Sequence, residues 1–204
     1  MNTFKSFILT SSLLFFGNII NAQSLTEGDN LVNISFGAGN LVRPQGFTTV
    51  LPPTVFQFEH ALSDLITVGG YLGYSLSYFE DDGIYMIPLS PYHSEYQKYR
   101  WNSKNILFGA KATYHFGEML NTSKKLDPYA GLSLGYNATT VKRKQLDGSY
   151  DLQPVLSPSP KSRVMLGIYA GARYYMNEQI ALFGEFGYST AVLQLGITYK
   201  LPKQ

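Results

Sequence analysis

The chain has 204 residues, no cysteine and a formal net charge of +2. The absence of cysteine excludes disulfide bonds, thiolate metal sites and a cysteine nucleophile, and the small net charge gives no electrostatic reason to expect a nucleic-acid partner. Charged residues make up only 15% of the chain, whereas tyrosine alone occurs 16 times, a composition that favours a surface in contact with both water and lipid.

The first 22 residues have the order of a secretory signal peptide. Lys5 precedes an apolar run at 7–17, and the segment ends in the small residue Ala22. We therefore expect a signal peptide at 1–22 and an exported mature domain at 23–204. No later stretch reaches the roughly 20 consecutive apolar residues of a transmembrane helix, so the mature domain is either soluble or a β-barrel.

The rest of the chain is a series of alternating runs separated by turn residues. In the first run, 31–40, Val32, Ile34 and Phe36 share one face and Asn33 lies on the other. Seven further runs follow at 54–62, 65–79, about 103–116, 127–140, 162–176, 180–189 and 191–201. Alternation with a period of two, together with many aromatic and β-branched residues, predicts strands and not helices. The sequence therefore predicts an all-β protein with eight antiparallel strands.

The connections between these runs differ in length at the two ends of the predicted barrel. Those at 41–53, 80–102 and 142–161 are long and hold most of the charge, whereas those near Ser63 and Asn177 are short. Short periplasmic turns and long extracellular loops are typical of outer-membrane barrels, whose smallest members have eight strands.

These alternating strands can form a barrel in two ways, with the apolar face turned inward or outward. A soluble barrel similar to lipocalins would bury the Leu, Ile, Phe and Tyr face and expose Gly, Ser, Asn and Thr, which is a poor solvated surface. A membrane barrel turns the apolar face to lipid, and aromatic residues collect at its two interfaces. The ends of the runs are rich in such residues, among them Phe79, Tyr114, Tyr175, Tyr188 and Tyr199. The pattern favours an eight-stranded antiparallel transmembrane β-barrel.

Several ionisable residues fall on the predicted inner faces: Glu59, Lys111, His115, Arg173 and Glu185. The lumen of an eight-stranded barrel is just wide enough to be filled by side chains, and unpaired charges in it are costly. We therefore expect a lumen charge network that fills the barrel, with a polar pathway or proton-linked site as the alternative. Arg173 and Glu185 lie on sequential strands and are expected to form a direct ion pair.

No catalytic residue, cofactor or metal ion is expected. His93, Ser94 and Glu95 are the local combination suited to a lipid A-modifying outer-membrane enzyme, but their spacing matches no known family pattern. His93, Asp81 and Asp82 have side chains that can bind a metal ion. A solvated loop without a metal is the simpler interpretation of these residues.

A basic run of Lys142, Arg143 and Lys144 follows the fifth strand. These residues are expected either in a solvated loop or in contact with the phosphates of lipopolysaccharide. The long connection at 80–102 is rich in aromatic residues, which are enriched where proteins meet partners. We therefore expect surface ligands to be bound through loops 80–102 and 142–161.

The runs resemble a known family. FGEFGYS at 183–189 and LQLGITYKL at 193–201, within a pattern that covers nearly all of 23–204, look like the OmpX/OmpA-like small outer-membrane β-barrel proteins, and the signal sequence ending is similar to Bacteroidetes members. The resemblance implies location in the cell outer membrane, insertion by the barrel-assembly machinery, and contact with membrane lipids and lipopolysaccharide. It also implies a structural or surface-interaction role, in envelope integrity or adhesion. A narrow porin-like channel and a lipid A-modifying enzyme are the alternatives.

Overall fold

Eight strands make up most of the protein in a computed structural model, which describes residues 25–86, 94–117, 119–120, 125–148 and 161–203. The signal peptide predicted at 1–22 lies outside these residues and stays a prediction. The strands are β1 (Asn30–Asn40), β2 (Thr48–Ser63), β3 (Ile66–Met86), β4 (Ser94–His115), β5 (Leu126–Asp147), β6 (Arg163–Tyr175), β7 (Ile180–Tyr188) and β8 (Ala191–Lys200). Within the described residues, no helix has the length and apolar character needed to cross a membrane.

The eight strands form a closed antiparallel barrel in chain order. β1 pairs with β2 on one side and with β8 on the other, from Leu31 opposite Lys200 to Asn40 opposite Ala191. Closure pairs the backbone N–H and C=O groups around the ring, which is the condition for a sheet to cross hydrocarbon. The predicted fold class is confirmed.

The apolar face of the strands points outward. In β8, Leu195 is 59% exposed whereas its neighbour Gln194 is 4% exposed. In β6, the outward apolar positions run from Val164 to Tyr174, which is about 33 Å along a strand at roughly 3.3 Å per residue. At a tilt of roughly 40° this gives a height of about 25 Å, the height of the apolar band of a transmembrane barrel. A soluble barrel with its apolar face inside is excluded.

Three strands extend well beyond the ends that hydrophobic alternation predicts. The runs at 65–79, about 103–116 and 127–140 correspond to β3, β4 and β5, which have 21, 22 and 22 residues. In these added strand segments the residues that face each other are often polar or charged, as Arg100 and Lys144 are. Hydrophobic alternation therefore does not predict these segments as strand. The loops predicted at 80–102 and 142–161 are therefore partly strand, and the basic run at 142–144 lies within β5.

The additional length forms a three-stranded projection, which we call the surface ribbon (residues 79–86, 94–101 and 143–147). The pairing of β3 with β2 ends at Thr48 opposite Tyr78, and that of β5 with β6 ends at Asn137 opposite Arg163. Eight residues at roughly 3.3 Å each make the surface ribbon about 26 Å long. It stands at the long-loop end of the barrel.

Cross-strand contacts hold the surface ribbon together. Glu80 of β3 accepts hydrogen bonds from Arg100 Nε, at 2.7 Å, and forms an ion pair with Lys98 Nζ at 3.1 Å. The hydrogen bonds from Arg100 hold the pKa of Glu80 below its usual value. The Tyr96 hydroxyl donates to Asp82 at 3.1 Å. These contacts link β3 to β4 along one face of the projection.

The segments just before β1 and just after β8 meet at the short-turn end of the barrel. Asp29, before β1, accepts a hydrogen bond from the Thr26 amide at 2.8 Å and lies 3.2 Å from both Lys200 Nζ and Lys203 Nζ. Lys203 also donates to the Glu27 carbonyl at 2.8 Å. Burial opposes ionisation of Asp29, but the Thr26 amide and the Lys200 ammonium outweigh it, so the pKa of Asp29 is lowered. This carboxylate therefore ties the segment before β1 to the tail after β8.

Candidate functional site

The five residues predicted to face the lumen all lie inside the barrel. Their exposed fractions are at most 6%, and each occupies the inward position of its strand: Arg173, Glu59, His115, Glu185 and Lys111. The structure adds a sixth ionisable residue, Asp127 of β5, which is 3% exposed. The network therefore holds two cations and three carboxylates, and His115 contacts the carboxylate of Asp127.

The lower part of the network, towards the short turns, is organised around Arg173. Its guanidinium lies 3.5 Å from Glu59 Oε1 and 3.8 Å from Asp127 Oδ2. His115 Nδ1 lies 2.8 Å from Asp127 Oδ2, and its Nε2 lies 3.2 Å from the Thr67 hydroxyl. Because buried charges are costly unless they are paired and hydrogen-bonded, this arrangement stabilises carboxylates from β2 and β5 inside the ring.

The ion pair predicted between Arg173 and Glu185 does not form. In the register of β6 and β7, Arg173 is opposite Phe183, whereas Glu185 is opposite Gly171. Glu185 instead accepts a hydrogen bond from Lys111 Nζ at 2.9 Å. Lys111 is on β4 and Glu185 is on β7. The two side chains therefore pair across the lumen and not between strands that are neighbours in the sheet.

Lys111 is the centre of the upper part of the network. Its ammonium donates to Gln57 at 2.7 Å and to Glu185 at 2.9 Å, and lies 3.7 Å from Glu59 Oε1. It also lies 4.5 Å from the centroid of the Tyr169 ring, within reach of a cation–π interaction. A cavity of about 10 Å³ remains beside these groups, which is room for about one water molecule.

The contacts from Asp127 to His115 and from His115 to Thr67 resemble the carboxylate, histidine and hydroxyl of a hydrolase. Thr67, however, is fully buried and also lies 3.1 Å from Glu59 Oε2, to which its hydroxyl donates. A nucleophile has to reach a substrate carbonyl, and this hydroxyl is enclosed by the network. The arrangement therefore fills the lumen and links β3, β4 and β5.

An apolar layer closes the lumen above the charges. Val42, from the connection between β1 and β2, reaches inside the ring and packs with Val55, Tyr71, Leu107 and Met165. All five are at most 9% exposed. The connection between β1 and β2 thus contributes a plug that hydrophobic alternation does not predict.

Aromatic side chains cover this layer at the base of the surface ribbon. Phe47, Tyr99 and Trp101 form a buried cluster, and the partly buried Phe79 packs against it. The ring centroids are 5.7 Å apart for Phe47 and Phe79 and 5.9 Å apart for Tyr99 and Trp101. The places of Phe79 and Tyr175 in the sequence predict both for an interfacial girdle, but Phe79 packs against the buried cluster and Tyr175 is fully buried. Both predictions are wrong because adjacent residues of a strand point to opposite faces.

The residues predicted as enzymatic or metal-binding are only partly located. His93 lies outside the described residues, as do the side chains of Ser94 and Glu95, so the enzyme hypothesis stays untested. Within the described ranges, no three His, Cys, Asp or Glu side chains come together as a metal site.

Sequence reasoning missed two contributors to the closed lumen. Asp127 lies two residues before Tyr129 on the inward side of the fifth run, so strict alternation would have found it. Val42 lies in a connection, and its position inside the ring depends on how that connection folds back. Nothing in the local sequence indicates it.

No protein-family model and no curated protein sequence matches the chain. Among solved structures, Ail, the attachment invasion locus protein of Yersinia pestis, crystallised with the heparin analogue sucrose octasulfate, is similar with a TM-score of 0.50 and 13% identity over 86% of this chain and 100% of that chain. OprG of Pseudomonas aeruginosa is similar with a TM-score of 0.45 and 13% identity over 90% and 100% of the two chains. The N-terminal β-barrel domain of OprF from the same organism gives 0.40 and 16% identity over 87% and 100%.

The likeness to Ail shows the fold alone, that of the small outer-membrane β-barrels which the sequence resembles. The outward apolar band shows that the barrel spans a membrane, and the outer membrane is the location that the sequence resemblance implies. The resemblance to Bacteroidetes members stays a prediction.

Proposed function

We propose that the protein is an integral outer-membrane barrel that acts through its surface ribbon and does not conduct through its lumen. The observation that carries the proposal is the filled interior, where a charge network, an apolar layer and an aromatic cluster follow one another along the barrel axis. The cavity beside Lys111 has a volume of only about 10 Å³, and among the described residues the apolar layer lies next along the axis, which leaves an ion no evident path. A structural or surface-interaction role therefore fits better than a channel.

In planar bilayers we expect the purified protein to show no stable open level under conditions where a general porin conducts. The reason is that the side chains of Val42, Tyr71 and Leu107 meet inside the ring. Single-channel recording at increasing voltage is the measurement. A reproducible open level of porin size would refute the filled lumen and restore the channel hypothesis.

The surface ribbon supports an interaction role by its rigidity and its edges. Its base is fixed by Trp101 and Tyr99, which are 2% and 0% exposed, so the projection is held on the barrel. Beyond Tyr78 the register of β3 with β2 has ended, and a strand edge presents N–H and C=O groups to which an extended segment of a partner can add. On one face, Tyr96 is 49% exposed.

We expect removal of the outer part of the surface ribbon to abolish adhesion without unfolding the barrel. Replacing residues 83–97 by Asn-Gly places a tight hairpin turn directly after the facing pair Asp82 and Lys98. Cells that export the full chain should be retained on an epithelial monolayer above the empty-vector level, and cells with the shortened chain should return to that level. Heat-modifiable gel mobility is the control for an intact barrel. Equal retention of the two strains would contradict the proposal.

The predicted lipid partners remain proposals as well. Lys104, Lys142 and Lys144 are exposed on the outer face, just above the apolar band, and form no ion pair among the described residues. Their position suits the phosphates of lipopolysaccharide. This contact and insertion by the barrel-assembly machinery remain predictions.

A further inference from the structure

A cleft of about 490 Å³ opens at the long-loop mouth of the barrel. It lies between the connection from β1 to β2 and the place where β5 meets the start of β6, and its polar lining includes Arg43, Gln45, Asn137, Lys161, Ser162 and Arg163. Its volume is within the usual 300–1,000 Å³ of small-molecule sites. It is separate from the surface ribbon and from the lumen charge network.

The cleft carries three cations and, among the described residues that line it, no carboxylate. Arg43, Lys161 and Arg163 are all exposed. Arg163 Nη2 donates to the Leu41 carbonyl at 2.7 Å, which positions the guanidinium across the cleft and leaves other N–H groups for a ligand. Lys161 forms no ion pair within the described part of the chain. Three cations at one site favour a ligand that bears negative charge.

The buried polar side chain at the floor of the cleft indicates that this ligand also offers hydrogen-bond donors. Asn137 is 2% exposed, and its Nδ2 donates to the Thr139 hydroxyl at 3.0 Å, but its Oδ1 has no hydrogen-bond partner among the residues that the structure describes. An unpaired buried acceptor is costly, and a hydroxyl group of a ligand would satisfy it. We propose that this cleft binds a sugar that carries phosphate, its charge held by the three cations and a hydroxyl by Asn137.

The test is isothermal titration calorimetry of the full chain in detergent micelles free of lipopolysaccharide, with fructose 1,6-bisphosphate, glucose and inorganic phosphate as probes. We expect the bisphosphate to bind at least tenfold more tightly than glucose or inorganic phosphate, with an affinity that falls as salt is added. The double variant Arg43→Gln with Lys161→Gln should lose at least tenfold in affinity while the Arg163 anchor stays in place. Asn137→Ala should weaken the bisphosphate more than inorganic phosphate.

The matched control is Lys125→Gln with Lys203→Gln, which removes the same charge at the short-turn end of the barrel, away from the cleft, and should change the affinity less than twofold. An equal loss in both double variants would overturn the proposal, as would equal binding of glucose and the bisphosphate or no binding at all. Competition with phosphorylated core oligosaccharide of lipopolysaccharide separates a membrane source of the ligand from a soluble one. A negative result leaves the surface-ribbon proposal standing, because the adhesion assay uses neither this cleft nor these probes.

Discussion

Replacing Lys111 by methionine is expected to lower the free energy of unfolding by about 3–5 kcal/mol. The ammonium of Lys111 lies 2.9 Å from Glu185 and 3.7 Å from Glu59, and all three side chains are at most 6% exposed. Methionine keeps the length of the side chain but leaves two buried carboxylates without this cation. Urea unfolding in lipid vesicles, followed by Trp101 fluorescence, is the measurement.

The matched control for this change is Lys104→Met in the same strand. Lys104 is exposed on the outer face, so its loss should change the unfolding free energy by less than about 0.5 kcal/mol. The double variant Lys111→Met with Glu185→Gln should recover part of the loss, because it removes a carboxylate together with its cation. If Lys111→Met and Lys104→Met unfolded alike, the charge network would not be what stabilises the interior.

Replacing Gly109 by valine is expected to prevent the barrel from closing, at a cost of about 3 kcal/mol or more. A Cβ atom at Gly109 would lie 2.6 Å from Gly135 Cα and 2.8 Å from the Tyr71 hydroxyl, and closer still to the Leu134 carbonyl oxygen. Two of these three atoms belong to the backbone of β5, so no rotamer change relieves the contact. The measurement is the fraction of refolded protein that shows heat-modifiable gel mobility, which should fall at least tenfold.

The matched control is Gly70→Val in the neighbouring strand. Gly70 points outward, and a Cβ atom there would meet its nearest heavy atom, the Gly109 carbonyl oxygen, at 3.5 Å. This is ordinary van der Waals contact, so the variant should refold as the parent chain does. Equal refolding of Gly109→Val and Gly70→Val would mean that the lumen has more space than the packing of Tyr71 indicates.

The extent of β2 illustrates how far local patterns reach. Alternation predicts a strand at 54–62, whereas β2 spans Thr48–Ser63 and includes Pro52 and Pro53. Proline disrupts strand pairing unless the register is irregular, and the register with β3 shifts between Leu51 and Thr54. The irregular pairing with β3 is what allows both prolines to lie within the strand. The sequence of β2 alone does not show this pairing, so it does not predict the first part of the strand.

The sequence by itself determined the number of strands, their antiparallel order and which face of each points inward, because alternation with a period of two is a property of each strand alone. It placed Glu59, Lys111 and Arg173 inside the barrel for the same reason. Only the tertiary structure decided that Lys111 pairs with Glu185 across the lumen, that Val42 closes the interior, and that charged segments form the surface ribbon. These features depend on strand register, barrel curvature and the folding back of a connection, which bring together residues that are far apart in the chain.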